Sequence, residues 1–169
     1  MIKILDGFFE EDDLSKIQEH VTTKISYTPC WSDGQEKTKK SYYGDRFYLN
    51  GEPKLRDFFV RQVENKFKIK IKELDGNSGI DLRNLDDFKP HIDKFSKINI
   101  LIMLYGPVAV TNGTVFYTKD KLDIHVGFRP NRAVLFPSNW THSSHASKEK
   151  GTRRYTSSIF VNDYENVLE

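Results

Sequence analysis

Only one cysteine, Cys30, stands among the 169 residues, so no disulfide can form within the chain. A reducing compartment suits such a chain. An excess of charge of one sign is also missing. Lys plus Arg number 26 against 24 for Asp plus Glu, a formal net charge of +2, which gives no support to general nucleic-acid binding. The longest unbroken apolar run is Ile100 to Tyr105, far too short to cross a bilayer, so no membrane association is expected. The opening Met-Ile-Lys-Ile-Leu-Asp-Gly-Phe-Phe-Glu-Glu turns acidic too early for a secretory signal. A soluble, cytoplasmic protein is therefore expected. No internal repeat, low-complexity tract or domain linker stands out. Gly76-Asn-Ser-Gly79 is turn chemistry rather than a phosphate loop, because no Gly-Lys-Ser/Thr follows it.

Hydrophobic residues amount to 37% of the chain, which is low, but aromatics amount to 13%. Twelve Phe and eight Tyr can fill a core, since each ring buries a large area. The length suits a single domain spanning 1–169. Ile2 to Leu5 reads as a short strand, and the acidic Glu10 to Asp13 lead a helix with Leu14, Ile17, Val21 and Ile25 on one face. Ser32 to Gly44 is polar, with Lys37, Lys39 and Lys40 close together. It reads as a loop, or as a substrate flap in which Tyr42, Tyr43 and Arg46 close over the site. Pro53 starts a second helix with Leu55, Phe58, Phe59, Val63 and Phe67 at helical spacing, and Phe67 to Leu74 then alternates as a half-exposed strand does. Further strands are expected at Ile98 to Tyr105, Thr114 to Tyr117, Ala133 to Phe136 and Tyr155 to Val161. The fold class is then mainly β with flanking helices (α+β): helices within about 1–75 packed on a β-barrel core of about 80–161.

Chemistry gathers around His91 and Asp93. Residues i and i+2 of an extended segment point to one side, so this pair can reach one metal ion together. Pro90 favours that presentation by keeping Lys89 extended. Two histidines and one carboxylate hold one face of a ferrous ion and leave the other open. The remaining ligand must come from elsewhere. His142 follows the apolar strand that stops at Pro137 and is favoured over His145, three residues on. In the last strand Arg154, Thr156 and Ser158 share a face. An arginine inside an otherwise uncharged strand needs a partner, either a bound carboxylate or an internal Asp or Glu. A one-residue slip would exchange Arg154 for Arg153. Trp140 is a pocket wall or a plug at the barrel rim, and His125 reads as a surface-strand histidine.

The ordered set comprises His91-x-Asp93, Asn112-Gly113-Thr-Val-Phe-Tyr117, Asn131-Arg-Ala-Val-Leu-Phe-Pro-Ser138 with His142, and Arg154-Tyr-Thr156. It resembles the Fe(II)/2-oxoglutarate-dependent oxygenases, most of all their prolyl-4-hydroxylase-like branch. Ile4-Leu-Asp-Gly-Phe-Phe before an acidic helix start is similar to that branch's N-terminal entry. The resemblance implies a double-stranded β-helix, a jelly-roll or cupin-like barrel flanked by helices. It implies Fe(II) held by His91, Asp93 and His142. It implies 2-oxoglutarate bound through Arg154 with Thr156 assisting, and Tyr105 or Asn99 as a further polar contact. The activity implied is hydroxylation with O2, the cosubstrate decarboxylating to succinate, on a peptidyl prolyl or other amino-acid side chain. His145 stays a rival because it precedes Arg154 by nine positions and His142 by twelve. Two alternatives are carried alongside: a cupin-like barrel using zinc or manganese with a ligand from His145 or His125, and a non-catalytic binding module.

Overall fold

The computed structural model describes residues 1–33, 40–83, 90–109, 111–119, 121–145 and 153–167. Strand β1 (Lys3–Asp6) leads into helix α1 (Glu11–Thr23), whose first-turn Glu11, Asp12 and Asp13 offset the exposed amide end. Ile17 and Val21 are its buried stripe. A hairpin of β2 (Thr28–Asp33) and β3 (Lys40–Tyr48) follows. It replaces the loop expected over Ser32 to Gly44, although 34–39, with Lys37 and Lys39, lie outside the described residues. Tyr42 and Tyr43 fall within β3, not in a loop.

Helix α2 (Pro53–Phe67) starts on its proline, buries Phe59, Val63 and Phe67, and stops at Lys68, whose φ of 55° is left-handed. That turn hands the chain to β4 (Ile69–Leu74), so Phe67 closes the helix and is not the first strand residue. The strands β5 (Gly79–Arg83), β6 (Ile98–Tyr105), β7 (Gly113–Thr118), β8 (Lys121–Gly127), β9 (Arg132–Pro137), β10 (His142–His145) and β11 (Arg154–Asn166) complete the chain.

These strands form two antiparallel sheets. The larger runs β1-β9-β6-β11-β5-β3-β2, with β4 also paired to β11, and the smaller runs β10-β7-β8. The first 75 residues thus supply four strands to the larger sheet as well as both helices. Alternation along β6 sorts the two sides of that sheet. Ile98, Ile100, Ile102 and Leu104 pack with Phe59, Val63 and Val21 of the helices. Met103 and, less deeply, Leu101 face the other way, into a second apolar cluster with Phe116, Val126, Phe128, Val134 and Phe136 between the sheets. β11 follows the same rule: Tyr155, Ile159 and Val161 join the helix-side core.

The inner side of the larger sheet also carries charge. Arg46 on β3 clasps Asp81 on β5 through Nε and Nη2 at 2.8 and 3.0 Å, both residues being buried. Arg46 is therefore a structural cation inside the barrel rather than a flap residue. Gly79 lets it pass: a Cβ there would stand 3.1 Å from the Arg46 side chain and 2.7 Å from the Phe47 carbonyl. Burial alone would raise the Asp81 carboxyl, but the charges of Arg46 and Arg83 and hydrogen bonds from Arg46 and Ser158 hold it below the usual carboxylate range.

Asp81→Asn should cost about 3–5 kcal/mol in urea unfolding, because it removes the charged acceptor of both Nε and Nη2 of the buried Arg46. Since the folded-state value is depressed, this stabilisation is present above the unfolded carboxyl's pKa and is lost as pH falls through the lowered value. The difference between wild type and variant should be complete at neutral pH and shrink below about pH 4.

Candidate metal centre

Backbone hydrogen bonds assemble the centre before any side chain does. His91 N–H donates to the His142 carbonyl and His142 N–H to the His91 carbonyl, both at 2.9 Å. This isolated bridge adds one more rung to the smaller sheet beside β10. Two residues on, Asp93 N–H donates to the Ser138 carbonyl at 2.9 Å, just past the end of β9. Ser138 is itself fixed by a hydroxyl contact to Ser96 at 2.8 Å and by its N–H to the Lys97 carbonyl at 3.0 Å. The His-x-Asp segment is thus pinned to β10 at one residue and to the β9 terminus at the other.

The side chains then converge. One ligand atom from each of His91, Asp93 and His142 lies within 4.8 Å of the others. His91 Nε2 stands 3.7 Å from Asp93 Oδ1, and His142 Nε2 stands 3.4 Å from Asp93 Oδ2. One ion bound at about 2 Å from each nitrogen could span such a group. The second contacts of these residues favour that use. His142 Nδ1 lies 2.9 Å from the Trp140 carbonyl. A carbonyl can only accept, so Nδ1 carries a proton there, which leaves Nε2, on the Asp93 side, as the ring nitrogen able to bind a metal. Asn99 Nδ2 donates to Asp93 Oδ2 at 3.0 Å and sets the rotation of the carboxylate.

A cavity opens at the triad, walled by Leu101 and Phe136 and by the polar Arg83, Asn99, Thr114, Ser144 and Ser158. Asn99 Oδ1 and Ser144 Oγ are buried there without a hydrogen-bond partner. Such orphaned atoms are costly unless a ligand or water meets them.

His145 lies on the opposite face of β10 from His142, since three positions reverse a strand's side. Its ring sits 5.7 Å from that of His125, and burial, then His145, lowers the His125 pKa. Neither belongs to the triad group found among the described residues. Arg154 is buried on the inner face, where Nη1 donates to Asn112 Oδ1 at 2.5 Å, the His145 carbonyl at 3.1 Å and the Gly113 carbonyl at 3.3 Å. These three acceptors orient the guanidinium. Gly106, at φ +150°, makes room for it: a Cβ would stand 2.9 Å from that of Arg154. Thr156 is buried on the same face, whereas Arg153 is exposed.

Tyr105 is not brought to the centre. A register shift between Tyr155 and Thr156 changes the phase at the end of β6. Tyr105 consequently ends 49% exposed, 6.1 Å from the Tyr155 ring, on the α1 side. Trp140 sits at the rim, edge-on to Phe116, and its backbone carbonyl rather than its indole touches the centre. Arg83 and Ser144 went unnoticed in the sequence. The in-phase charges of Gly79-Ile-Asp-Leu-Arg83 were the available signal for Arg83.

No family model and no curated protein matches this chain. Solved structures do. A Pseudomonas putida prolyl-4-hydroxylase superposes with a TM-score of 0.63 at 12% identity, over 95% of this chain and 92% of that one. The epimerase SnoN, in complex with Fe3+, alpha ketoglutarate and nogalamycin RO, gives 0.65 at 12% identity, over 99% and 81%. A prolyl hydroxylase from Trichoplax adhaerens, in complex with a hypoxia inducible factor peptide fragment, gives 0.61 at 13%, over 95% and 83%. The fold is therefore the double-stranded β-helix of these oxygenase structures, and at such identities the likeness speaks for the fold alone.

Removing one ligand should be read directly in the metal content. His142→Ala should lose stoichiometric Fe(II) or Mn(II) after dialysis, and His145→Ala should keep it. Asn99→Leu should weaken metal affinity about 10–100-fold in a chelator competition, the usual loss when a residue supporting a ligand is removed.

Proposed function

We propose that this chain is a cytoplasmic Fe(II)- and 2-oxoglutarate-dependent dioxygenase, one domain spanning 1–169, that hydroxylates a peptidyl prolyl or other amino-acid side chain. The observation that carries the reading is the convergence of His91, Asp93 and His142 at the mouth of a double-stranded β-helix. Two neutral imidazoles and one carboxylate on one side suit ferrous iron with open positions opposite. The orphaned Asn99 Oδ1 and Ser144 Oγ support a bound polar ligand beside it. The reaction class and the peptide substrate draw support from the names of the superposed enzymes, and Cys30, the one cysteine, accords with a reducing compartment.

When bound, iron with 2-oxoglutarate and dioxygen supplies oxidative decarboxylation of the keto acid to succinate and carbon dioxide, coupled to oxygen insertion into a C–H bond. The protein's own part is positional. His91 and His142 offer Nε2, and Asp93 offers a carboxylate oxygen whose rotation Asn99 restrains. Arg154 binds the distal carboxylate of the diacid by charge-assisted hydrogen bonds, with the Thr156 hydroxyl assisting. Leu101 and Phe136 keep part of the wall dry, which strengthens every polar contact inside. No protein nucleophile or general base is required.

Protein purified without oxygen, supplied with Fe(II) and 2-oxoglutarate and then exposed to air, should form succinate slowly even without substrate. His91→Ala should abolish this turnover. Arg154→Ala should raise the 2-oxoglutarate requirement at least about 30-fold, the consequence of losing roughly 2 kcal/mol from a charged contact. Succinate formation that survives both substitutions would remove the assignment.

A further inference from the structure

The outer face of the smaller sheet carries two histidines that the metal centre does not use. Thr114 and Ser144 line the cavity, so the opposite parity of their strands points away from it. In the ladders His145 stands across from Gly113, Gly113 from Gly127, and Val115 from His125. Directly opposed residues of an antiparallel pair share a face, which puts His125 and His145 together on that outer side. They belong to β8 and β10, which flank β7 and so lie about 10 Å apart. Their rings nonetheless stand 5.7 Å apart, inclined at 72°. Gly113 permits this approach. It has no side chain, and a Cβ there would stand 2.9 Å from His125 Nε2. The two imidazoles thus lean toward each other across the gap that the glycine leaves.

The chemistry of the pair says what suits it. His145 Nδ1 is buried without a hydrogen-bond partner, a costly state that a ligand of its own relieves. Burial, and then His145, lowers the His125 pKa, so that ring is uncharged at neutral pH, the form that binds metal ions. An ion about 2 Å from one nitrogen of each ring allows centroids up to about 6 Å apart, and this pair falls inside that limit. No third histidine, cysteine or carboxylate joins them among the described residues, so water completes the shell and binding is looser than at the triad. Imidazole donors favour Zn(II), Cu(II) or Ni(II) over Mg(II) or Ca(II). The pair is separate from the centre: His145 turns its ring outward, while its carbonyl accepts from Arg154 on the inner side at 3.1 Å.

We infer that His125 and His145 form a second metal site, on the outer face of the smaller sheet, for a first-row cation such as Zn(II). It does not depend on the oxygenase reading. The test is equilibrium dialysis of the whole chain against Zn(II) in excess Mg(II). Wild type is compared with His125→Gln, His145→Gln and the double variant His91→Ala/His142→Ala, with the thermal midpoint measured on each. Wild type should bind two equivalents, the tighter at the triad. His125→Gln and His145→Gln should each weaken only the second, at least about tenfold, because even a residue that merely supports a ligand is worth that much. The double variant should keep one equivalent, and adding His125→Gln to it should remove that one. In the double variant, lowering the pH from about 7.5 to about 5.5 should release the ion as the imidazoles protonate. Zn(II) bound at the triad alone, or a second equivalent that survives either His125→Gln or His145→Gln, overturns the inference. Should the double variant fail to fold, the wild-type count and the single variants decide, since His125 is exposed and its replacement leaves the core intact. A single equivalent that His125→Gln removes and His91→Ala does not would support this site and remove the triad as the metal centre.

Discussion

Two backbone hydrogen bonds between His91 and His142 are the constraint on which the rest of the centre depends. They tie a segment with no strand of its own to the edge of the smaller sheet. The adjacent tie from Asp93 to Ser138 reaches the end of β9 in the larger sheet. A site so placed inherits its precision from both sheets, because neither sheet can shift without breaking one of these contacts. The imidazole and carboxylate positions then follow from the two-residue period of extended chain, with Trp140 and Asn99 setting orientation.

That same period explains how a small protein supports a polar cavity. On β6 and β11 one parity faces the helices and builds an apolar core, so cohesion does not depend on the barrel interior. The interior is then partly apolar, around Met103, Phe116 and Phe136, and partly charged, around Arg46, Asp81, Arg83 and Arg154. Buried charges are tolerable only when each finds compensation. Asp81 with Arg46 supplies its own. Arg154 is held by hydrogen bonds to Asn112, Gly113 and His145 of the facing sheet and its approach.

Much of this was legible in the linear pattern. α2 could be read because Phe59, Val63 and Phe67 recur at helical spacing behind a proline, and β6 because an apolar run ends at Gly106-Pro107. The hairpin of β2 and β3 was not legible: its polar residues resemble a loop, and only their pairing with each other, beside the β3–β5 ladder, makes them strands. Arg46 was read as a flap residue for the same reason, since its partner Asp81 lies 35 positions away. Tyr105 departs from the expected side because the β6/β11 register skips Leu104 just before it, and such a shift leaves no mark in the residue types themselves.

The order of residue types along the chain determined the fold class, the two helices, the main strands and the short set of groups able to bind a metal. These follow from local periodicity, turn chemistry and the donor atoms each side chain carries. Only the folded chain decided which histidine shares a face with Asp93, which arginine enters the cavity and which hydroxyls remain without partners there. Those outcomes depend on strand register and on pairing between distant segments, where a shift of one residue turns a side chain to the opposite face.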